Sequence, residues 1–205
     1  MGSLLLKTII RQLDQYLRST APPGTLDPGK TFAELGNIAS SKFAGGDNDA
    51  LNEKVVVSLV NISEEASLKN NHQSRPVNQQ YFKQHPIVHV NLYLLITALF
   101  DDYGVAVDRL FRVLEFFQGR KIFKFKNAPA PGLSAEEAEQ YGDIELTVEL
   151  HTLSFEQLND LWGSLGGKQL PFVLYRVRLV PIQMELPASR EGLITEIDLT
   201  TNLFN

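Results

Sequence analysis

The sequence predicts an α+β domain: a mixed β-sheet of about five or six strands packed with three helices, followed by an extended C-terminal arm. Three observations carry that prediction. Segments with helical spacing of apolar residues are interspersed with segments of strand period, and no internal repeat is present. The 205 residues, 43% hydrophobic and 21% charged, suit one domain with a real core. Pro- and Gly-rich breakers separate the periodic segments.

Leu5, Leu6, Ile9, Ile10, Leu13, Tyr16 and Leu17 make residues 4–18 an amphipathic helix, stopped by Ala21-Pro22-Pro23-Gly24. Its polar face carries mixed charge, which favours core packing over a membrane surface. Phe32 to Ala39 reads as a short strand. Lys54 to Ile62 reads as a stronger one, with the β-branched density of a strand partly covered on both faces. Residues 64–87 form a long polar stretch without period, read as an assembly contact or a mobile loop.

The strand Ile87 to Phe100 puts Val88, Val90, Leu92, Leu94, Ile96 and Ala98 on a core face. His89, Asn91, Tyr93, Leu95, Thr97 and Leu99 fall on a half-covered face. Asp102 reads as the N-cap of a helix with Val107, Leu110, Phe111, Leu114 and Phe117 as its buried stripe. Gly119 is expected at a left-handed position ending it. Lys121 to Phe125 and a half-exposed segment with Ile144, Leu146, Val148 and Leu150 add two strands.

Ser154 with Gln157 spells a capping box, and Leu153 with Leu158 a hydrophobic staple. Phe155, Leu158, Leu161, Trp162 and Leu165 are expected to be the buried face of that helix, ended by Gly166-Gly167. The strand Phe172 to Ile182 completes a domain over residues 1–186. Residues 187–205 read as an arm: a hinge at Ala188 to Gly192, a terminal strand at Leu193 to Thr200, then Leu203-Phe204. Its candidate interface residues are Leu193, Ile194, Ile197, Leu199, Leu203 and Phe204. Such a strand completes its own sheet or adds to the edge of another chain.

Several chemistries are set aside. The net charge of −5 argues against nucleic acid as a main partner. The absence of cysteine excludes disulfides, thiolate metal sites and cysteine nucleophiles. Lys7, Arg11, Asp14 and Arg18 interrupt the N-terminal apolar run, and no segment approaches the ~20 apolar residues of a bilayer span. A soluble chain outside the general signal-peptide route, without a membrane partner, is expected.

His85 and His89 would sit about 13 Å apart in an extended strand, too far for one ion. Leu165-Gly166-Gly167-Lys168-Gln169 lacks a phosphate loop's first glycine, where Trp162 stands, and its Ser or Thr, where Gln169 stands. No serine lies in a Gly-x-Ser-x-Gly elbow. Glu64-Glu65, Asp101-Asp102 and Glu136-Glu137 suit solvated loops or helix starts. Trp162 suits a core. The expectation is no enzyme, no cofactor and no metal.

Several runs taken in order resemble one family. They are Glu53 to Ile62, His89-Val90-Asn91-Leu92-Tyr93, Leu114-Glu115-Phe116-Phe117-Gln118-Gly119, Leu153 to Trp162 and Leu174-Tyr175-Arg176-Val177-Arg178. The chain is similar, roughly from Leu4 to Ile182, to the cap or tail-terminator proteins of extracellular contractile injection systems. These are phage-tail-like particles such as the antifeeding prophage and the Photorhabdus virulence cassettes.

The resemblance implies a phage tail-terminator-like fold and a structural protein in a homo-hexameric ring. That ring would end the inner tube and anchor the terminal sheath ring, with the inner tube protein, the sheath protein and copies of itself as partners. It carries over no catalytic residue or cofactor. Longer members continue well past the last core strand, so it implies tube capping more directly than sheath anchoring. Assembly in the cytoplasm is expected, then incorporation in a particle that is released or membrane-associated. The reading from a different class is a monomeric small-ligand or peptide-binding α+β adaptor.

Overall fold

Leu94, Leu95 and Ile96, consecutive in one strand, are 2%, 0% and 0% exposed, so that strand is covered on both faces. They mark the middle of the fold. The structure, a computed structural model, describes residues 2–21, 31–65, 75–77, 80–82, 87–125, 142 and 144–182, with backbone alone at 75–77, 80–82 and Leu179. Its first elements are α1 (Gly2–Ser19), β1 (Ala33–Leu35), β2 (Lys54–Glu64), β3 (Arg75–Val77) and β4 (Gln80–Phe82). Then come β5 (Val88–Leu99), α2 (Tyr103–Gly119), β6 (Ile122–Lys124), β7 (Glu145–Leu150), α3 (Phe155–Ser164) and β8 (Phe172–Ile182).

Six strands form one mixed sheet in the order β1-β2-β5-β8-β7-β6. The β1–β2 pair is parallel and the others are antiparallel. Strands β3 and β4 form a separate hairpin within the polar stretch. Helices α1 and α2 cover one face, where Leu5, Ile9, Leu13 and Leu17 meet Val55, Val57, Leu94, Ile96, Val113 and Phe117. Each such side chain contributes about 1.5–3 kcal/mol on burial. Helix α3 covers part of the other face through Trp162, packed with Ile38, Leu51, Val56, Leu95, Leu99 and Leu174.

The sequence-legible caps are in place. Asp102 accepts hydrogen bonds from Gly104 N–H at 2.7 Å and Val105 N–H at 3.2 Å. Ser154 and Gln157 form the reciprocal capping box. Gly166 and Gly167 take φ of +106° and +78°, and Gly167 N–H donates to Trp162 O at 2.7 Å, closing α3. The glycine pair therefore ends a helix.

Four expectations need correction. Strand β1 stops at Leu35, because Asn37 caps a 3-10 turn over Ile38–Ser40 and Ser58 Oγ takes the Ile38 N–H. Gly119 lies inside α2 without a positive φ, since Arg120 N–H still donates to Phe116 O at 3.0 Å. Phe111 is 60% exposed instead of buried. The Tyr16–Phe116 and Phe117–Tyr175 ring contacts, at 5.5 and 4.5 Å, set the rotation of α2 and turn Ala106, Leu110 and Val113 inward. Phe155 is 87% exposed, because it is the first residue of α3 and the packing on the sheet begins with Leu158.

Candidate assembly surfaces

Two β-bulges shape one end of the sheet. In β2, Leu59 pairs with Leu94 but Asn61 pairs with Tyr93, leaving Val60 as the extra residue. In β8, Val177 pairs with Leu92 but Val180 pairs with Val90. A bulge changes which parity of residue faces a given side. On the α1/α2 face, β2 therefore passes from Val55 and Val57 to Ile62, and β8 passes from Tyr175 and Val177 to Val180 and Ile182.

The result is an apolar groove of about 750 Å³ beyond the N-terminus of α1. Its walls include Leu6, Leu35, Leu59, Ile62, Leu92 and Ile182. Leu59, Ile62 and Ile182 are exposed, as are Ile87 and Val88 nearby. Strict alternation hides this site in the sequence. The signals that could have found it are the break of the Tyr175–Arg178 alternation at Leu179-Val180 and the unalternating run of β2.

A second groove, of about 580 Å³, lies between α2 and β7 on the far side of the sheet order. Exposed Phe111 and Leu150 flank it, and Leu114 and Tyr175 line it. Burial pushes the Tyr175 phenol up to about 12, so its ring is a neutral wall at any ordinary pH. Contiguous exposed apolar surface of this kind marks contact with other molecules.

The sheet face that α3 leaves uncovered is polar. Arg176 donates to Glu149 at 2.9 Å, and Arg178 lies 3.5 Å from Glu149 and 3.4 Å from Glu65. Asn91 donates to Glu65 at 3.0 Å. The Arg176 hydrogen bond holds the Glu149 carboxyl below the usual glutamate range, against the opposing effect of its partial burial. Tyr93 and His151 meet edge to face at 5.1 Å on this side.

The arm residues Leu193, Ile194, Ile197, Leu199, Leu203 and Phe204 lie outside the described residues, as do His72, His85 and Glu136-Glu137. Trp162 is core, edge-on to Phe172 at 5.4 Å. Among the described residues, no group of three or more His, Asp or Glu gathers as a metal site. No described helix is long and apolar enough to cross a membrane.

Among the described residues, the helix-covered face of the mixed sheet carries an apolar groove toward each side. The chain belongs to the Pvc16 N-terminal domain family, which it matches over residues 5–196. Among solved structures it is similar to the anti-feeding prophage cap, an AFP tube terminating cap, with a TM-score of 0.54 and 14% identity over 94% of this chain. It is also similar to the sheath/tube terminator of PVC, an extracellular contractile injection system, in its extended state. That match has a TM-score of 0.48 and 15% identity over 96% of this chain. The chain spans 60% and 64% of those two chains, respectively. No curated protein matches it.

Proposed function

We propose that this chain is a structural cap that ends the inner tube of a phage-tail-like contractile injection particle, working through assembly contacts and not catalysis. Membership in the Pvc16 N-terminal domain family over residues 5–196 is the observation that carries the reading. The fold shared with the anti-feeding prophage cap supports it. In this account copies of the chain form a ring, a hexamer, through side-to-side contacts. A ring needs two different complementary faces on each subunit. The grooves near β2 and near β7, toward opposite edges of the sheet, suit that requirement.

The ring would contact the inner tube protein on one side and the terminal sheath ring through the arm. Residues 187–205, treated as an arm on the domain 1–186, would add a strand to a sheath subunit or a neighbouring protomer. Deleting residues 188–205 is expected to leave a folded domain and to weaken assembly. Particles capped and sheathed normally by the deletion variant would contradict the arm's role.

Light scattering of the purified chain tests the ring. The wild type is expected to form a closed oligomer, and Phe111→Asp with Leu150→Asp to shift it toward monomer with an unchanged melting temperature. A wild type that stays monomeric, alone and in the presence of tube ends, would contradict the reading.

A further inference from the structure

Among the described residues, the outer edge of β2 is only half used. Strand β1 pairs with β2 at Val55, Val56 and Val57 alone. The chain then leaves the edge, with Ser58 Oγ donating to Gly36 O at 2.6 Å and accepting the Ile38 N–H at 3.1 Å. From Leu59 to Ser63, no strand among the described residues lies outside β2. Within that stretch the Ile62 N–H donates to the side chain of the preceding Asn61, at 2.8 Å. A local side chain there stands in for a main-chain acceptor.

This open edge borders the 750 Å³ groove, and Leu59 and Ile62 belong to both. A strand added outside β2 would send alternate side chains onto the α1/α2 face, into the groove beside Leu6, Leu35 and Leu59. Among the described residues, the end of β8 offers a poorer edge for an added strand. Pairing with β7 ceases at Arg178, and Pro181 beyond it has no N–H to offer.

We propose that residues 193–200 of the same chain are the strand that docks there, antiparallel to β2, in the free subunit. Four observations single out this occupant. Ile182, from which the arm departs, itself lines the groove. β8 and β2 run in the same direction, both antiparallel to β5, so a segment that turns back after Ile182 runs antiparallel to β2. The position outside β2 lies three strand spacings from β8, about 14 Å, while the ten residues 183–192 span at most about 33–36 Å. The sequence of 193–200 also alternates correctly. Leu193, Thr195, Ile197 and Leu199 share one face for the apolar groove, and Glu196 and Asp198 share the other with Ile194 and Thr200.

The site is independent of the cap reading and of any particle. In a ring, a neighbouring subunit would displace the arm from the groove near β2, so the docked arm belongs to the free subunit.

The chain has no cysteine, which makes disulfide trapping free of background. Ile62→Cys, at an exposed position, is combined in turn with Thr195→Cys, Ile197→Cys and Leu199→Cys, and with Glu196→Cys and Asp198→Cys as outward-facing controls. Mild oxidation of the dilute free chain is expected to give an intrachain disulfide at one or more odd positions and none at the even ones. Crosslinks between chains would overturn the proposal in favour of arm exchange. Crosslinking with no parity preference, or none at all, would also overturn it.

Hydrogen exchange on the unsubstituted chain gives a second reading. Outer-edge amides within residues 59–63 are expected to exchange about tenfold or more faster once residues 183–205 are deleted, the factor for about 1.4 kcal/mol of docking. Equal rates with and without the arm would overturn the proposal. Neither readout requires a ring or a tube, so a failure here is distinct from a failure of the cap reading.

Discussion

Trp162 and Phe155 stand on the same short helix and show how far burial separates residues of similar hydrophobicity. Trp162 is 4% exposed and meets Phe172 and the second core, whereas Phe155 projects from the first turn. Trp162→Ala is expected to cost about 3–5 kcal/mol in denaturant unfolding. Phe155→Ala should stay within about 0.5 kcal/mol of wild type. Equal costs for the two would contradict the placement of α3.

Glu149 gives a prediction in pH. Its folded-state pKa is depressed, chiefly by the Arg176 hydrogen bond. The stability it contributes is present above the ordinary glutamate value and lost as pH falls through the lowered folded value. In an NMR titration, Glu149 should have its midpoint below the usual range, and Arg176→Gln should move it up. A midpoint unchanged by that substitution would contradict the pairing. The pair is partly exposed, so its effect on stability is small.

At the scale of elements, α1 supplies Leu5, Leu6, Ile9, Ile10, Leu13 and Leu17 to the larger core. Asp14 also holds the start of β1, accepting the N–H groups of Phe32 at 2.6 Å and Ala33 at 3.0 Å. Removing residues 2–19 should therefore abolish cooperative unfolding, which circular dichroism with near-ultraviolet signals would show. A cooperative transition surviving that truncation would contradict the account of the core.

Helices α1 and α3, the long strands β2, β5 and β8 and both caps were legible because periodicity and capping chemistry are local. The rotation of α2 was not legible, because Tyr16 and Tyr175 set it from distant parts of the chain. Nor was the groove legible. A single extra residue in β2 and another in β8 reverse the parity that a strand reading assumes, and so bring Ile62, Val180 and Ile182 to the face of Val57 and Val177. The β3–β4 hairpin escaped because its residues carry no alternating apolar signal.

At the scale of the whole molecule, the family match over residues 5–196 and the α+β fold agree with the likeness seen in the ordered motifs from Glu53 to Arg178. The central claim is that copies of this chain end a tube. Electron microscopy of purified particles, with this subunit located in the reconstruction, tests it most directly. The account predicts a ring of these subunits seated on the end of the inner tube distal to the baseplate, its domains in side-to-side contact. Particles in which the subunit is absent, or placed at the baseplate or along the tube, would contradict it.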